Sequence, residues 1–279
     1  MCDGRRHRGP GPTPPSSPAP CSSAAPARRL GRQPDCQCLT VEWTYCRPHR
    51  GVSPSMSDLL AAAQSPTVEW LESCFGPRTL WRPDQADLPA RLEDKETREF
   101  LTETGIPAVR LSAIDYDSAD LPERGMWEED PDELFGERYP DDHSPPTRYS
   151  YCIGKVSQLH LMVDGDTGAV EIYNPDGWDH AAGYGGYAAP SLRKFIGALG
   201  LFTLYEHRFD VADASSAAAA LTALDEFTTL LEQLGQDPDE SALWEGLLEE
   251  IREECEDWED SDDNGDQEDQ AVSVELSDH

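Results

Sequence analysis

No run of about 18 apolar residues occurs in this 279-residue sequence, so it offers no transmembrane helix. The N-terminus has no apolar stretch of about 7–15 residues of the kind a secretory signal needs. No internal repeat is visible. Basic residues are scarce: Lys and Arg total 22 against 55 Asp and Glu, a net charge of −33. A chain this acidic repels nucleic acid and anionic membrane and attracts cationic partners. Catalytic signatures are missing as well. His7, His49, His143, His160, His180, His207 and His279 fall in no HExxH, no HxE with PCxxC and no nucleophile elbow. The segment GYGGY (183–187) follows no dinucleotide fingerprint and leads into no phosphate loop. The pattern calls for no cofactor and no metal.

The eight cysteines are unevenly spread, with Cys2, Cys21, Cys36, Cys38 and Cys46 in the first 55 residues and only Cys74, Cys152 and Cys255 beyond. A disulfide framework would run through the fold, so this distribution predicts reduced thiols and a cytoplasmic protein.

Charge is uneven too. Residues 1–55 hold eight Arg, no Lys and three acids, a net of +5, so the remainder carries −33 − 5 = −38. Ten of the 23 prolines also fall there. Such a segment buries too little apolar surface to fold alone, which predicts a disordered basic leader. At Met56, the first methionine after Met1, the chain turns abruptly to helical spacing and acids. We expect translation to start at Met56, with 1–55 an over-extended reading frame; a genuine basic tail is the alternative. Within the leader, Cys36, Cys38, Cys46 and His49 could hold zinc, but CxC is the wrong spacing for a structural knuckle, and chance clustering is the reading.

The body, 56–259, reads as one α+β domain, a mostly antiparallel sheet with flanking helices. Ser65-Pro66 opens a helix through about Cys74. A second runs from about Glu93 to Thr104 and is ended by Gly105 and Pro107. Residues 108–116 alternate as a strand. A long acidic loop follows over 115–142, with twelve acids and two arginines and one helical turn expected near Asp130–Phe135; such loops are functional or disordered. Strands are expected over 148–156, 158–164 and 168–174, and the glycine-rich 175–190 reads as a loop. Ser191 caps a helix carrying Leu192, Phe195, Ile196, Leu199 and Phe202 at the spacing of a buried stripe. Further helices are expected over 215–234 and 240–258, and 260–279 as a disordered acidic tail.

Two groups of acids need weighing. Asp164, Asp166, Glu171 and Asp176 crowd the stretch LHLMVDGDTGAVEIYNPDG (159–177). The D-x-[DN]-x-[DN]-G calcium pattern fails there, since Gly168 and Ala169 occupy its fifth and sixth positions. Asp164 and Asp166 read instead as turn formers at a hairpin tip. Asp260, Asp262, Asn264 and Gly265 match the first half of a calcium loop, but Ala271 stands at its twelfth position and no exit helix follows. His160, mid-strand and opposite Leu159 and Leu161, reads as a packed or half-exposed sheet histidine. Asp176 and His180 could form an acid–base pair, which keeps a small hydrolase as one alternative.

The order of motifs resembles the SUKH superfamily of immunity proteins, in particular its fourth subfamily. The matching residues are Phe100-Leu101 with Gly105-Ile106-Pro107, Ile153-Gly154, Val163–Gly168 with Val170, Ser191-Leu192 with Phe195, and Trp244 to Ile251, over about 90–258. Two stretches depart from the pattern: the acidic 117–145 and the GYGGY-bearing 175–190. The resemblance implies a small α+β domain without catalytic residues that binds and blocks a cognate polymorphic toxin domain, often a nuclease or deaminase. The acidic body agrees, because a nucleic-acid-acting toxin presents a basic substrate groove. Solubility alone is the plain reading of that charge. A scaffold of the same fold binding a non-toxin partner is another alternative. Hot spots concentrate in aromatic anchors, so the expected partner-binding residues are Trp127, Glu128, Glu129 and Asp130 in the acidic stretch and Trp178 and Tyr184 in the glycine-rich one.

Overall fold

A computed structural model describes residues 54–139, 141–175, 183–212 and 214–263, with backbone alone for 214 and 257–263. The basic leader before Pro54, its four candidate zinc ligands, and Asn264 and Gly265 all lie outside the described residues.

Helix α1 (Met56–Gln64) starts at a capping box, in which Ser55 Oγ accepts from Asp58 N and the Asp58 carboxylate accepts from Ser55 N. Ser65 does not open the next helix as expected. It closes α1, its N–H donating to the Ala61 carbonyl, and Thr67 caps α2 (Val68–Phe75). Pro66 therefore separates two helices. Strand β1 (Leu80–Trp81) precedes α3 (Lys95–Glu103), which Asp94 caps at Thr97 N. Gly105 follows α3 with φ +83°, and a Cβ there would strike the Arg82 side chain and the Trp81 carbonyl. Both its conformation and its space therefore require glycine. Strand β2 (Ile106–Pro107) pairs with β1.

The single strand expected over 108–116 is instead a tight antiparallel hairpin, β3 (Arg110–Leu111) and β4 (Tyr116–Asp117). A 3-10 turn over Ser112–Ile114 joins them, closed by Asp115 at φ +47°. Aspartate tolerates this left-handed conformation better than most residues, a signal that alternation counting passes over.

The acidic stretch is folded. It forms α4 (Leu121–Arg124), β5 (Glu128–Glu129) and α5 (Pro131–Leu134). Then come β6 (Ser150–Val156), β7 (Leu159–Asp164) and β8 (Val170–Tyr173). A further strand, β9 (Tyr184–Ala189), occupies half of the stretch read as a loop. Helices α6 (Leu192–Tyr205), α7 (Ala214–Leu234) and α8 (Ala242–Asp263) complete the described chain. Helix α8 runs past Trp258, so the backbone at Asp260 and Asp262 is helical.

The main sheet runs β3-β4-β6-β7-β8-β9, all antiparallel, and β5 pairs with the same edge of β6 as β4 does. Pairing sorts its residues into two faces. Tyr151, Val163, Val170 and Ala189 form one row, and Leu161 lies opposite Ile172 on the same side. This inner face joins one continuous apolar core with Phe195, Leu199 and Phe202 of α6, Phe227 of α7 and Trp244 of α8. Phe227 lies 5.9 Å from Phe202 and 5.7 Å from Trp244, ring to ring. Two of the polar groups at this core are paired, Trp244 Nε1 donating to Gln236 Oε1 and Ser241 Oγ to the Ala188 carbonyl, while the buried Tyr116 hydroxyl has no partner among the described residues.

The aspartates of the hairpin tip form a turn, as their spacing predicts. Asp164 Oδ1 accepts from Asp166 N, Thr167 N and Thr167 Oγ1. The Gly165 carbonyl accepts from Glu93 N and Asp94 N, and the Gly168 carbonyl from Leu192 N. This tip thus ties the starts of α3 and α6 to the sheet. That gives the VDGDTG stretch a structural explanation.

Candidate partner-binding face

The outer face of the same sheet is built differently. Cys152, Met162, Glu171 and Tyr187 form one cross-strand row, and Asp117, Lys155, His160, Tyr173 and Tyr184 another. Cys152, Met162 and Phe135 are buried, yet none belongs to the main core. Cys152 and Met162 belong to β6 and β7, and Phe135 to the acidic stretch, which packs on this face through β5 and the Phe135–Tyr184 contact.

Two arginines pin that stretch down. Arg138 pairs with Asp130 at 2.9 Å, both about 10% exposed. Arg148 reaches Asp132 at 2.9 Å, Glu137 at 3.1 Å and Asp164 at 3.9 Å. Beyond α5, the Phe135 ring meets Tyr184 edge-on at 5.3 Å, and a Cβ on Gly183 would overlap the Leu134 carbonyl. Near β5, the Trp127 ring meets His160 edge-on at 5.0 Å, and His160 meets Tyr173 at 5.7 Å. An aromatic band therefore runs across the strands through Trp127, His160, Tyr173 and Tyr184. Trp127 is 40% exposed and Tyr184 48%. His160 is the half-buried sheet histidine expected from its position.

Carboxylates flank the band. Burial, followed by the Glu133 and Asp130 charges, raises the Glu129 pKa. Burial, followed by Asp164, raises that of Glu171, with Arg148 acting in the opposite direction. Burial lowers the His160 pKa, and Lys155 adds to the effect. Several polar atoms here have no partner among the described residues: Glu171 Oε2, His160 Nδ1, Ser150 Oγ and Arg138 Nε. Leaving a buried polar group unpaired costs about 1–3 kcal/mol, so most sheet faces avoid it.

The residues singled out from the sequence are distributed as follows. Trp127, Glu129 and Tyr184 come together on the outer face. Glu128 lies opposite Tyr151 on the other side and accepts from its hydroxyl at 3.2 Å. Asp130 is used internally, capping α5 and pairing with Arg138. Trp178, Asp176 and His180 lie outside the described residues. Sequence reasoning passed over Glu171, Tyr173 and Phe135 as members of this face, and over Tyr139, which is 80% exposed in the acidic stretch. For Glu171 and Tyr173 the signal was present: they are the non-aliphatic half of the alternation in β8. Among the described residues, no group of three or more His, Cys, Asp or Glu could hold a metal ion.

The family model described as SUKH-4 immunity protein matches residues 67–250, from just before α2 into α8. No curated protein and no solved structure matches the chain.

Proposed function

The chain belongs to the SUKH-4 immunity protein family, and from that premise we propose that it binds a cognate toxin domain through the outer face of its sheet and neutralises it by occlusion. The carrying observation is the composition of that face: solvent-exposed aromatics set among carboxylates. Among the described residues, the exposed large hydrophobics are Met56, Trp127, Tyr139 and Tyr184. Trp127 and Tyr139 belong to the acidic stretch, and Tyr184 to the strand beside it.

The partner of stated chemistry is a toxin domain acting on nucleic acid, because such a domain carries a basic substrate groove. A chain of net charge −33 attracts that groove and is itself repelled by nucleic acid. In this division of labour the carboxylates set the encounter rate and the aromatics set residence time. The protein is read as a binder and not an enzyme, acting in the cytoplasm where the toxin would do its damage. No described helix is long and apolar enough to cross a membrane.

The test is inhibition of the toxin domain encoded beside this gene. The purified chain is expected to bind it and abolish its nuclease or deaminase activity at equimolar ratio. If it binds a neighbouring non-toxin product and leaves the toxin active, the scaffold reading replaces this one.

A further inference from the structure

A complete tyrosine–glutamate–arginine unit elsewhere on the molecule indicates what the outer face can hold. The Arg208 guanidinium lies 4.8 Å over the Tyr205 ring and pairs with Glu226 at 2.7 Å. The Tyr205 hydroxyl reaches the same carboxylate at 3.4 Å. Ring, carboxylate and guanidinium satisfy one another.

The outer face also sets tyrosines beside carboxylates, with Glu171 opposite Tyr187 in one cross-strand pair. Tyr173 and Tyr184 are cross-strand partners. Burial raises the pKa of Tyr173, Tyr184 and Tyr187, and nearby carboxylates add to it: Glu129 and Glu133 at Tyr173, Glu171 at Tyr184, and Glu240 ahead of Glu171 at Tyr187. The third part is not supplied by the described chain. Glu171 Oε2 is buried without a partner, and Arg148, the cation acting on Glu171, is already engaged by Asp132 and Glu137. A second unpaired polar atom lies on the same face. Ser150 is fully buried between its neighbours Glu129 and Asp164, and its hydroxyl has no partner.

We propose that Tyr173, Tyr184 and Glu171 receive an arginine side chain of the docked toxin domain. The proposal rests on the docking reading above and adds the chemistry of its central contact. A guanidinium fits better than an ammonium, because it is planar, stacks on a tyrosine ring and donates in a fork to a carboxylate. An arginine that binds phosphate in the toxin's substrate groove has this character. Its capture therefore blocks substrate as well as anchoring the complex.

The experiment is calorimetric titration of the neighbouring gene's toxin domain into the full chain and into Glu171→Gln. Each exposed arginine of the toxin is changed in turn to Ala and to Lys. Glu171→Gln is expected to weaken binding by about tenfold or more. One toxin Arg→Ala variant should lose a similar factor against wild type and nothing further against Glu171→Gln, and Lys at that position should not restore it. Tyr184→Leu, on an exposed strand position, should reproduce the loss if Glu171→Gln fails to fold. Affinity within about twofold of wild type for both variants, or no coupled arginine, overturns the arginine contact and leaves the immunity reading standing. Absence of any binding by the wild-type chain overturns both.

Discussion

The two faces of the main sheet are made from alternate residues of the same strands, and they obey opposite rules. On the inner face, Leu161, Val163, Val170 and Ile172 are all buried in one apolar core. On the outer face, their sequence neighbours His160, Met162, Glu171 and Tyr173 mix aromatic, polar and charged groups. Four of the five unpaired buried side-chain atoms among the described residues lie there, His160 Nδ1, Glu171 Oε2, Ser150 Oγ and Arg138 Nε, and the fifth, the Tyr116 hydroxyl, lies in the main core. Local rules of packing and polar satisfaction break down at functional sites more often than elsewhere. The inner face accounts for stability. The outer face retains groups that reduce stability unless something completes them.

The largest expected effect is on the inner side. Phe202 contacts Phe209, Phe227 and Trp244, so Phe202→Ala should lower unfolding free energy by about 3–5 kcal/mol in urea denaturation. Toxin affinity of the remaining folded fraction should stay unchanged. If affinity falls while stability holds, the assignment of the two faces is reversed.

Next comes Trp127→Ala. Its ring leans on His160 at the edge of the band, outside the main core. Toxin binding should weaken by about 2 kcal/mol or more, through faster dissociation in surface plasmon resonance. Circular dichroism should show the fold retained. Loss of the folded spectrum would make Trp127 a core residue.

Glu171→Gln should raise stability at pH 7 by at most about 1 kcal/mol, because a half-buried carboxylate with one unpaired oxygen is replaced by a neutral group. The sign with pH follows from the raised pKa. Glu171 is protonated more readily in the folded state, so its favourable contribution is present below the ordinary pKa of 4.5 and is lost as pH rises through the raised folded value. The advantage of Glu171→Gln should therefore vanish on acidification below that window. An advantage that persists at low pH would mean the carboxylate is not strained.

The smallest effect belongs to neither face. Ser55→Ala removes the α1 cap and should cost about 1 kcal/mol in thermal denaturation, with toxin binding unchanged. A chain beginning at Ser55 should match the full chain in Tm, whereas one beginning at Met56 should show the cap loss.

Elements whose side chains follow one strong period were legible in the sequence. The stripe of Phe195, Ile196, Leu199 and Phe202 marked α6, and Ser191 caps it at Lys194 N as expected. Asp164 and Asp166 marked the hairpin tip. The resemblance to the fourth SUKH subfamily rested on those same motifs, and the matched family spans 67–250. Strand β9 was missed because its two central glycines dilute strand propensity. Gly185 in fact packs so close to Ile172 that a Cβ would stand 2.8 Å from its side chain. The acidic stretch read as a loop because its structure depends on remote partners: Arg148 reaches back sixteen residues to Asp132. The outer face was only half legible. Trp127, Glu129 and Tyr184 were named as aromatic anchors and acids of two irregular stretches, whereas Glu171 and Tyr173 looked like the solvent side of an ordinary alternating strand. Only the strand order β5-β6-β7-β8-β9 brings those five residues onto one face.

Hydrogen–deuterium exchange of the chain alone and in complex with the toxin domain tests the central claim most directly. Docking on the outer face predicts new protection over residues 126–139 and 184–187, with α7 and α8 unchanged. Protection confined to α7 and α8, with both outer segments exchanging as in the free chain, would contradict it.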